Sequence, residues 1–274
     1  MARIEYKSAD QIRLMRRAGL VVADIHAALR EAVAPGVTTG ELDEVARAVL
    51  ETAGAKSNFL GYHGYPAHVC ISVNEEVVHG IPGDRVLAAG DVVSFDCGAV
   101  VDGWHGDAAF TIVLDPADPE DETLSEVTRD AMWRAIAALA GGDRLNVVGA
   151  AVEDVVERHN AAGQTPVSII EDYVGHGIGT AMHQPPDVPN YVTGGRSPKL
   201  RSGMCLAVEP MLTRGGNGTQ VLADDWTVVT TDDARAAHWE HTVAIHADGI
   251  WVLTAPDGGA AALADLGVQV APLD

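Results

Sequence analysis

The chain has 274 residues, 47% of them hydrophobic, enough to bury a substantial core as one large domain or two fused halves. A net charge of -21, with pI near 4.7, would repel a phosphate backbone and instead favours cationic ligands such as metal ions or a substrate with a free amine. The mixed-charge N-terminus lacks a signal-peptide core, no apolar run is bilayer-length, and the three scattered cysteines (Cys70, Cys97, Cys205) exclude a disulfide framework, leaving the cytosol as the expected compartment.

Ser8-Ala-Asp-Gln11 is a capping box, and Ile12, Met15, Gly19, Val22, Ile25 and Leu29 then recur at helical spacing until Pro35-Gly36. A second box, Thr38-Thr-Gly-Glu41, starts a helix with Leu42, Val45, Ala46 and Val49 on one face and Gly54 at its end. Strand-like segments follow at 69–73 and 92–114. The acidic stretch Asp115-Pro-Ala-Asp-Pro-Glu-Asp-Glu122 reads as a solvated loop without catalytic duty. The order then repeats: a helix over 124–139, a second carrying Val148, Val152, Val155 and Val156, and strands at 204–213, 220–231 and 239–246. Two helix pairs alternating with antiparallel strands predict an α+β fold with pseudo-two-fold related halves, at about 8–114 and 123–249, and a site on the pseudo-axis. Residues 1–254 form the expected single catalytic domain, and the Ala- and Gly-rich stretch 255–274 reads as a peripheral tail.

Two runs place an acid six positions after a glycine: Gly90-Asp-Val-Val-Ser-Phe-Asp96 and Gly203-Met-Cys-Leu-Ala-Val-Glu209. Each is followed by a second acid, Asp107 in the first half and Glu240 in the second. Asp102-Gly103 is a strong hairpin signal, and as a two-residue loop it sets residue 96 opposite residue 109. Asp107 then lies diagonal to Asp96 on one face, roughly 7–8 Å away at Cα, a gap two carboxylates close around a cation. Each acid alone reads as an ordinary strand or turn acid. Asp96 and Glu209, however, sit in apolar strands, where an unpaired carboxylate is costly. His176, among Gly175, Gly177 and Gly179, competes as part of a phosphate loop, but no Lys-Ser/Thr pair follows, so a metal ligand is the better reading. Four carboxylates and an imidazole suit Mn, Fe(II), Co or Zn, held about 3.5–4 Å apart if two ions bind. His79 and His183 occupy corresponding turns and read as a substrate-orienting pair. For His63, His68, His105, His238 and His241 only proximity to these motifs speaks, and His26, His159 and His246 are left to structural roles.

Together these residues resemble a type I methionine aminopeptidase of the pita-bread family, over about residues 8–249. The phrases Tyr62-His-Gly-Tyr-Pro66, Val69-Cys-Ile-Ser-Val-Asn-Glu75, His79-Gly-Ile-Pro82, Gly175-His-Gly-Ile-Gly179, Glu209-Pro-Met211 and Glu240-His-Thr242 carry the resemblance jointly. It implies a pita-bread fold, an antiparallel sheet covered by two helix pairs. It also implies two divalent ions (Co, Mn, Fe(II) or Zn) on Asp96, Asp107, His176, Glu209 and Glu240. The implied reaction is hydrolytic removal of N-terminal methionine before a small second residue, through a metal-bridged hydroxide. His79, His183 and Glu209 would be catalytic. A methionine pocket would comprise Tyr62, Tyr65, Cys70, His79 and Trp226, with Phe59 and Met182, two departures from the bacterial pattern, as further candidates. Gln184-Pro185 departs as well, where the family usually has two acids. Implied partners are nascent polypeptide N-termini and peptides starting with Met, with the ribosome a candidate, no direct nucleic-acid or membrane contact, and a monomeric state. The rivals are a sister peptidase that cleaves before proline, a metal-free binding protein of the same fold, and a creatinase-type hydrolase.

Overall fold

The computed structural model describes residues 3–273. Both capping boxes form as their sequences dictate. Helix α1, Ala9–Ala32, starts where the Ser8 side chain accepts from Gln11 N, and α2, Thr39–Ala53, starts at Thr38 and stops at Gly54 in the left-handed region. They cover the long hairpin of strands Val92–Val101 and Trp104–Val113. Its two-residue turn has positive φ at both Asp102 (51°) and Gly103 (80°), as a primed turn requires. The register sets Asp96 opposite Ala109 and Gly98 opposite Asp107, as the turn chemistry predicts. Short strands Cys70–Val73 and Lys56–Ser57 pair along the other edge of Val92–Val101.

The second half repeats the plan. Helices α3, Pro119–Gly141, and α4, Val147–Ala161, pack on a five-stranded sheet in the order Gly249–Val252, His241–His246, Cys205–Val208, Gly175–Gly177, Gln184–Val188. The halves have separate cores. One gathers Val22, Ile25, Leu42, Phe95 and Phe110, the other Met132, Ile136, Val152, Leu206 and Val243. This is the expected α+β arrangement of two helix-covered antiparallel units. Among the described residues no helix is long and apolar enough to cross a membrane.

Several segments depart from the sequence reading. The acidic stretch is not all loop: α3 begins at Pro119, capped by Asp118, so Glu120, Asp121 and Glu122 fill its first turn, where the helix dipole favours acids. Asp121 is fully buried. Its carboxylate lies 3.3 Å from Arg214 Nε and 3.3 Å from Arg235 Nε, and Arg235 also donates to Asn74 Oδ1 and Gly90 O, joining the halves. The stretch 204–213 is two strands, Cys205–Val208 and Met211–Thr213, separated by Glu209 and by Pro210, which has no N–H for a ladder. Likewise Ala236–His238 and His241–His246 are separated by Trp239-Glu240, and 220–231 is a hairpin of Thr219–Val221 and Val228–Thr230. His176 lies on a strand and not in a turn. The tail read as peripheral is docked: α5, Ala260–Ala264, buries Leu263 in the second core, and Ala271 N donates to Ile250 O.

Helix α1 wedges between the halves. A Cβ on Gly106 would fall 2.7 Å from Gly19 N, and one on Gly19 would fall 2.2 Å from Leu253 O. Beside this contact, Arg16 donates to the carbonyls of Val252, Leu253, Ala255 and Pro256. Replacing a helical glycine by alanine ordinarily stabilises by up to about 1 kcal/mol, but overpacking against fixed backbone costs about 2–3 kcal/mol. Gly19→Ala is therefore expected to lower the midpoint of urea unfolding; a raised midpoint would show that the helix can move off Leu253.

Candidate metal centre and adjoining pocket

The halves meet along a short seam in which threonine hydroxyls substitute for backbone groups. Glu240 N donates to Ala109 O (3.0 Å) and Ala109 N to Glu240 O (3.3 Å). On one side, Thr242 Oγ1 accepts from Asp107 N (3.1 Å) and donates to Asp107 O (2.8 Å). On the other, Thr111 Oγ1 accepts from His238 N (2.9 Å) and donates to His238 O (2.8 Å). The seam sets Asp107 beside Glu240. Asp96 comes from the neighbouring strand, Glu209 from the break after Cys205–Val208, and His176 from the strand whose Gly177 pairs with Leu206.

One ligand atom each of Asp107, His176 and Glu240 lie within 4.8 Å of one another. Glu209 Oε1 is 3.4 Å from His176 Nε2. His176 Nδ1 donates to the Gly177 carbonyl at 3.0 Å, which fixes the tautomer and leaves Nε2 free to bind a cation. The close approach needs the glycines: a Cβ on Gly175 would meet Ala207 O at 2.3 Å, and one on Gly177 would meet Pro185 O at 2.4 Å.

All five side chains are buried. Burial pushes the Asp96 carboxyl up to about 7. Asp107, Glu209 and Glu240 are held well above the usual carboxylate range by burial first; the charge of Asp96 then adds to Asp107 and Glu209, and those of Asp107, Glu209 and Asp96 to Glu240. His176 is pushed down to about 3 by burial and then by His183, so its imidazole is neutral. Among the described residues no lysine or arginine pairs with these acids, and Asp96 Oδ1, Asp107 Oδ1 and Glu240 Oε1 have no hydrogen-bond partner. Converging orphaned carboxylate oxygens beside a neutral imidazole are the donor set of a divalent cation site. The thiols of Cys70 and Cys97, raised by burial, do not supply thiolate.

Next to this cage, Phe59, Tyr65, Cys70 and Met182 form an apolar cluster with Tyr62 and Trp226, joined by Ala67 and Ile81, which the sequence reading did not include. Cys70 faces Asp96 across the strand pair, so the cluster abuts the cage. Tyr65 and Trp226 meet edge-on at 5.0 Å, and Trp226 and His79 at 6.0 Å. The Tyr65 hydroxyl donates to Gly80 O, beside His79. His183 packs 4.3 Å from the His176 ring and hydrogen-bonds through Nδ1 to the Tyr62 hydroxyl at 2.8 Å. His79 is pushed down to about 4 by burial and then by His183, and His183 is lowered by burial and then by His63.

One further residue belongs here. His238 is buried with Nε2 3.7 Å from Glu209 Oε2 and without a hydrogen bond, and burial pushes it down to about 3. Its place two residues before Glu240 was the available signal. His68, His105 and His241 instead pair with Asp43, Asn58 and Thr254.

Residues 13–247 match the model of metallopeptidase family M24. The chain is 49% identical to methionine aminopeptidase 1 of Mycobacterium tuberculosis, covering 92% of this chain and 95% of that protein. It is 40% identical to methionine aminopeptidase 1 of Bacillus subtilis, covering 90% and 98%. The crystal structure of methionine aminopeptidase from Thermotoga maritima superposes with a TM-score of 0.86 at 40% identity, over 93% of this chain and 99% of that one.

The raised carboxyls have a measurable consequence for the metal-free protein. Folded, it holds protons that the unfolded chain releases from an aspartate near 3.8, so stability is full below that value and is lost as pH climbs through the raised values, about 7 for Asp96. Relative to metal-free Asp96→Asn, the metal-free wild type is therefore expected to lose resistance to urea between about pH 4 and about pH 7, a comparison that cancels the opposite contribution of the buried neutral His79, His176 and His238. A wild type that instead gains stability over the variant across that range would show that the fold stabilises Asp96 as an anion.

Proposed function

The chain belongs to metallopeptidase family M24, and on that premise we propose that Asp96, Asp107, His176, Glu209 and Glu240 hold two divalent metal ions that serve removal of N-terminal methionine. The chain is a methionine aminopeptidase of type I, a metal-dependent hydrolase. The observation that carries the residue assignment is the contact between two chemically different parts, a cage of orphaned carboxylates and an apolar cluster lined by aromatic edges.

Bound there, divalent ions supply a water-derived nucleophile at neutral pH and positive charge to polarise a carbonyl. The protein's own groups do the rest. Tyr65, Trp226, Phe59 and Met182 offer ring edges and a thioether, soft contacts suited to a methionine side chain, with Cys70 and Tyr62 closing the pocket. His79 and His183, neutral by burial, hydrogen-bond the scissile amide and the oxygen that gains charge as it turns tetrahedral. Glu209 takes the proton of the attacking water and hands it to the leaving nitrogen. The net charge of -21 draws in the substrate's α-amine. The physiological substrates in this reading are nascent polypeptides with a small second residue, met at the ribosome in the cytoplasm by a monomeric enzyme loaded with Co, Mn, Fe(II) or Zn. Residues 1–254 act as one catalytic domain.

Asp96→Ala is expected to lower kcat/KM on a Met-Ala-Ser peptide on the order of 10³-fold and to lose at least one metal ion per chain by elemental analysis. A fully metallated, active variant would refute the cage. Metal-loaded enzyme should cleave Met-Ala-Ser in preference to an Ala-Pro peptide; the reverse preference would move the chain to the proline-directed branch of the fold, and an intact Met-Ala-Ser would point to a binding protein.

A further inference from the structure

Near the N-terminus Lys7 is buried, its side chain 2% exposed, although a lysine amine is costly to take from water. Burial lowers its pKa, and its partners are spare: Glu5 O at 3.1 Å, Gln184 Oε1 at 3.3 Å and Glu5 Oε2 at 3.7 Å. An apolar side chain would fill this space at lower cost. What the amine does instead is close a circuit. Gln184 Nε2 donates to Thr180 Oγ1 (3.1 Å), Thr180 Oγ1 donates to the Glu5 carboxylate (3.0 Å), and Thr180 N donates to Glu5 Oε2 (3.3 Å). The loop 179–184 is thereby fastened at both ends to the segment Glu5-Tyr6-Lys7. That segment is itself anchored by Lys7 N donating to Gly203 O at 2.7 Å. Gly179 is shaped to the arrangement, since a Cβ there would lie 2.3 Å from Lys7 Cε.

The fastened loop carries His183, the residue before Gln184. From its other side His183 is held by the Tyr62 hydroxyl at 2.8 Å. We infer that Lys7, together with Glu5, is a positioning residue for the hydrolysis: it fixes the loop 179–184 so that the His183 ring stands where the scissile amide arrives. This rests on the role given to His183 above. The Lys7 amine bonds only to Glu5 and Gln184 among the described residues, and to none of the five ligand residues. Its effect passes through Gln184 and Thr180.

The test is a double-mutant cycle on the full-length, metal-loaded enzyme with Met-Ala-Ser. Lys7→Met keeps the stem and removes the donors. It is expected to lower kcat about tenfold while KM changes less than about threefold and metal content stays unchanged, and to have an effect of less than about twofold in the His183→Ala background. Thr180→Val, which removes the hub of the circuit without stranding a charge, is expected to behave the same way should Lys7→Met fail to fold. Equal losses in both backgrounds, or no loss in the wild-type background, overturn the inference while leaving the role of His183 intact. A fully active His183→Ala enzyme overturns the role of His183 and the inference with it.

Discussion

The structure depends on the seam that joins Ala109 to Glu240. Its central pair is an ordinary antiparallel backbone exchange, but on either side the partner is a hydroxyl, of Thr242 or of Thr111, bonded to both backbone groups of the facing residue. The arrangement is nearly two-fold about its centre. It brings Asp107 from one half against Glu240 from the other, and every other ligand is positioned relative to that contact. The glycine approach of His176, the strand break at Glu209 and the primed turn that registers Asp96 all converge on it.

Magnitudes show why the seam alone does not explain the site. Two carboxylates about 5 Å apart repel by about 3 kcal/mol at an effective dielectric near 20. A hydrogen bond contributes a net of about 1 kcal/mol, so a few such repulsions offset the whole seam. The cage is therefore a place where the fold holds charge that it does not neutralise. Protons or cations must complete it, and the surrounding negative field raises the local concentration of both.

What could be read from the sequence was local. The capping boxes at Ser8 and Thr38 and the Asp102-Gly103 turn are short-range signals, and the turn carried the register of Asp96 and Asp107 with it. The ligand acids and His176 stood out because carboxylates in apolar strands and a histidine among glycines are chemically out of place. What stayed hidden depends on partners far along the chain. Asp121 looked solvated because Arg214 and Arg235 lie about a hundred residues on. His238 looked incidental because its neighbour Thr111 is 127 positions away. The break at Glu209 reads as continuous strand, and Trp239-Glu240 as the start of one, because β-prone composition does not mark where the ladder changes partner.

The contact of α1 with Leu253 also bears on how the chain reaches its native state. Arg16 and Gly19 find their partners at 252–256, a separation of up to 240 residues. Because α1 meets partners up to 240 residues further along, this contact is of very long range and closes only after the chain between them exists. Val22, Ile25 and Leu29 find their core within the first half, whereas Ile12 and Met15 wait for Trp251 and Leu253. The clasp between the two halves is thus completed by the arrival of residues 252–256, and only once both halves exist.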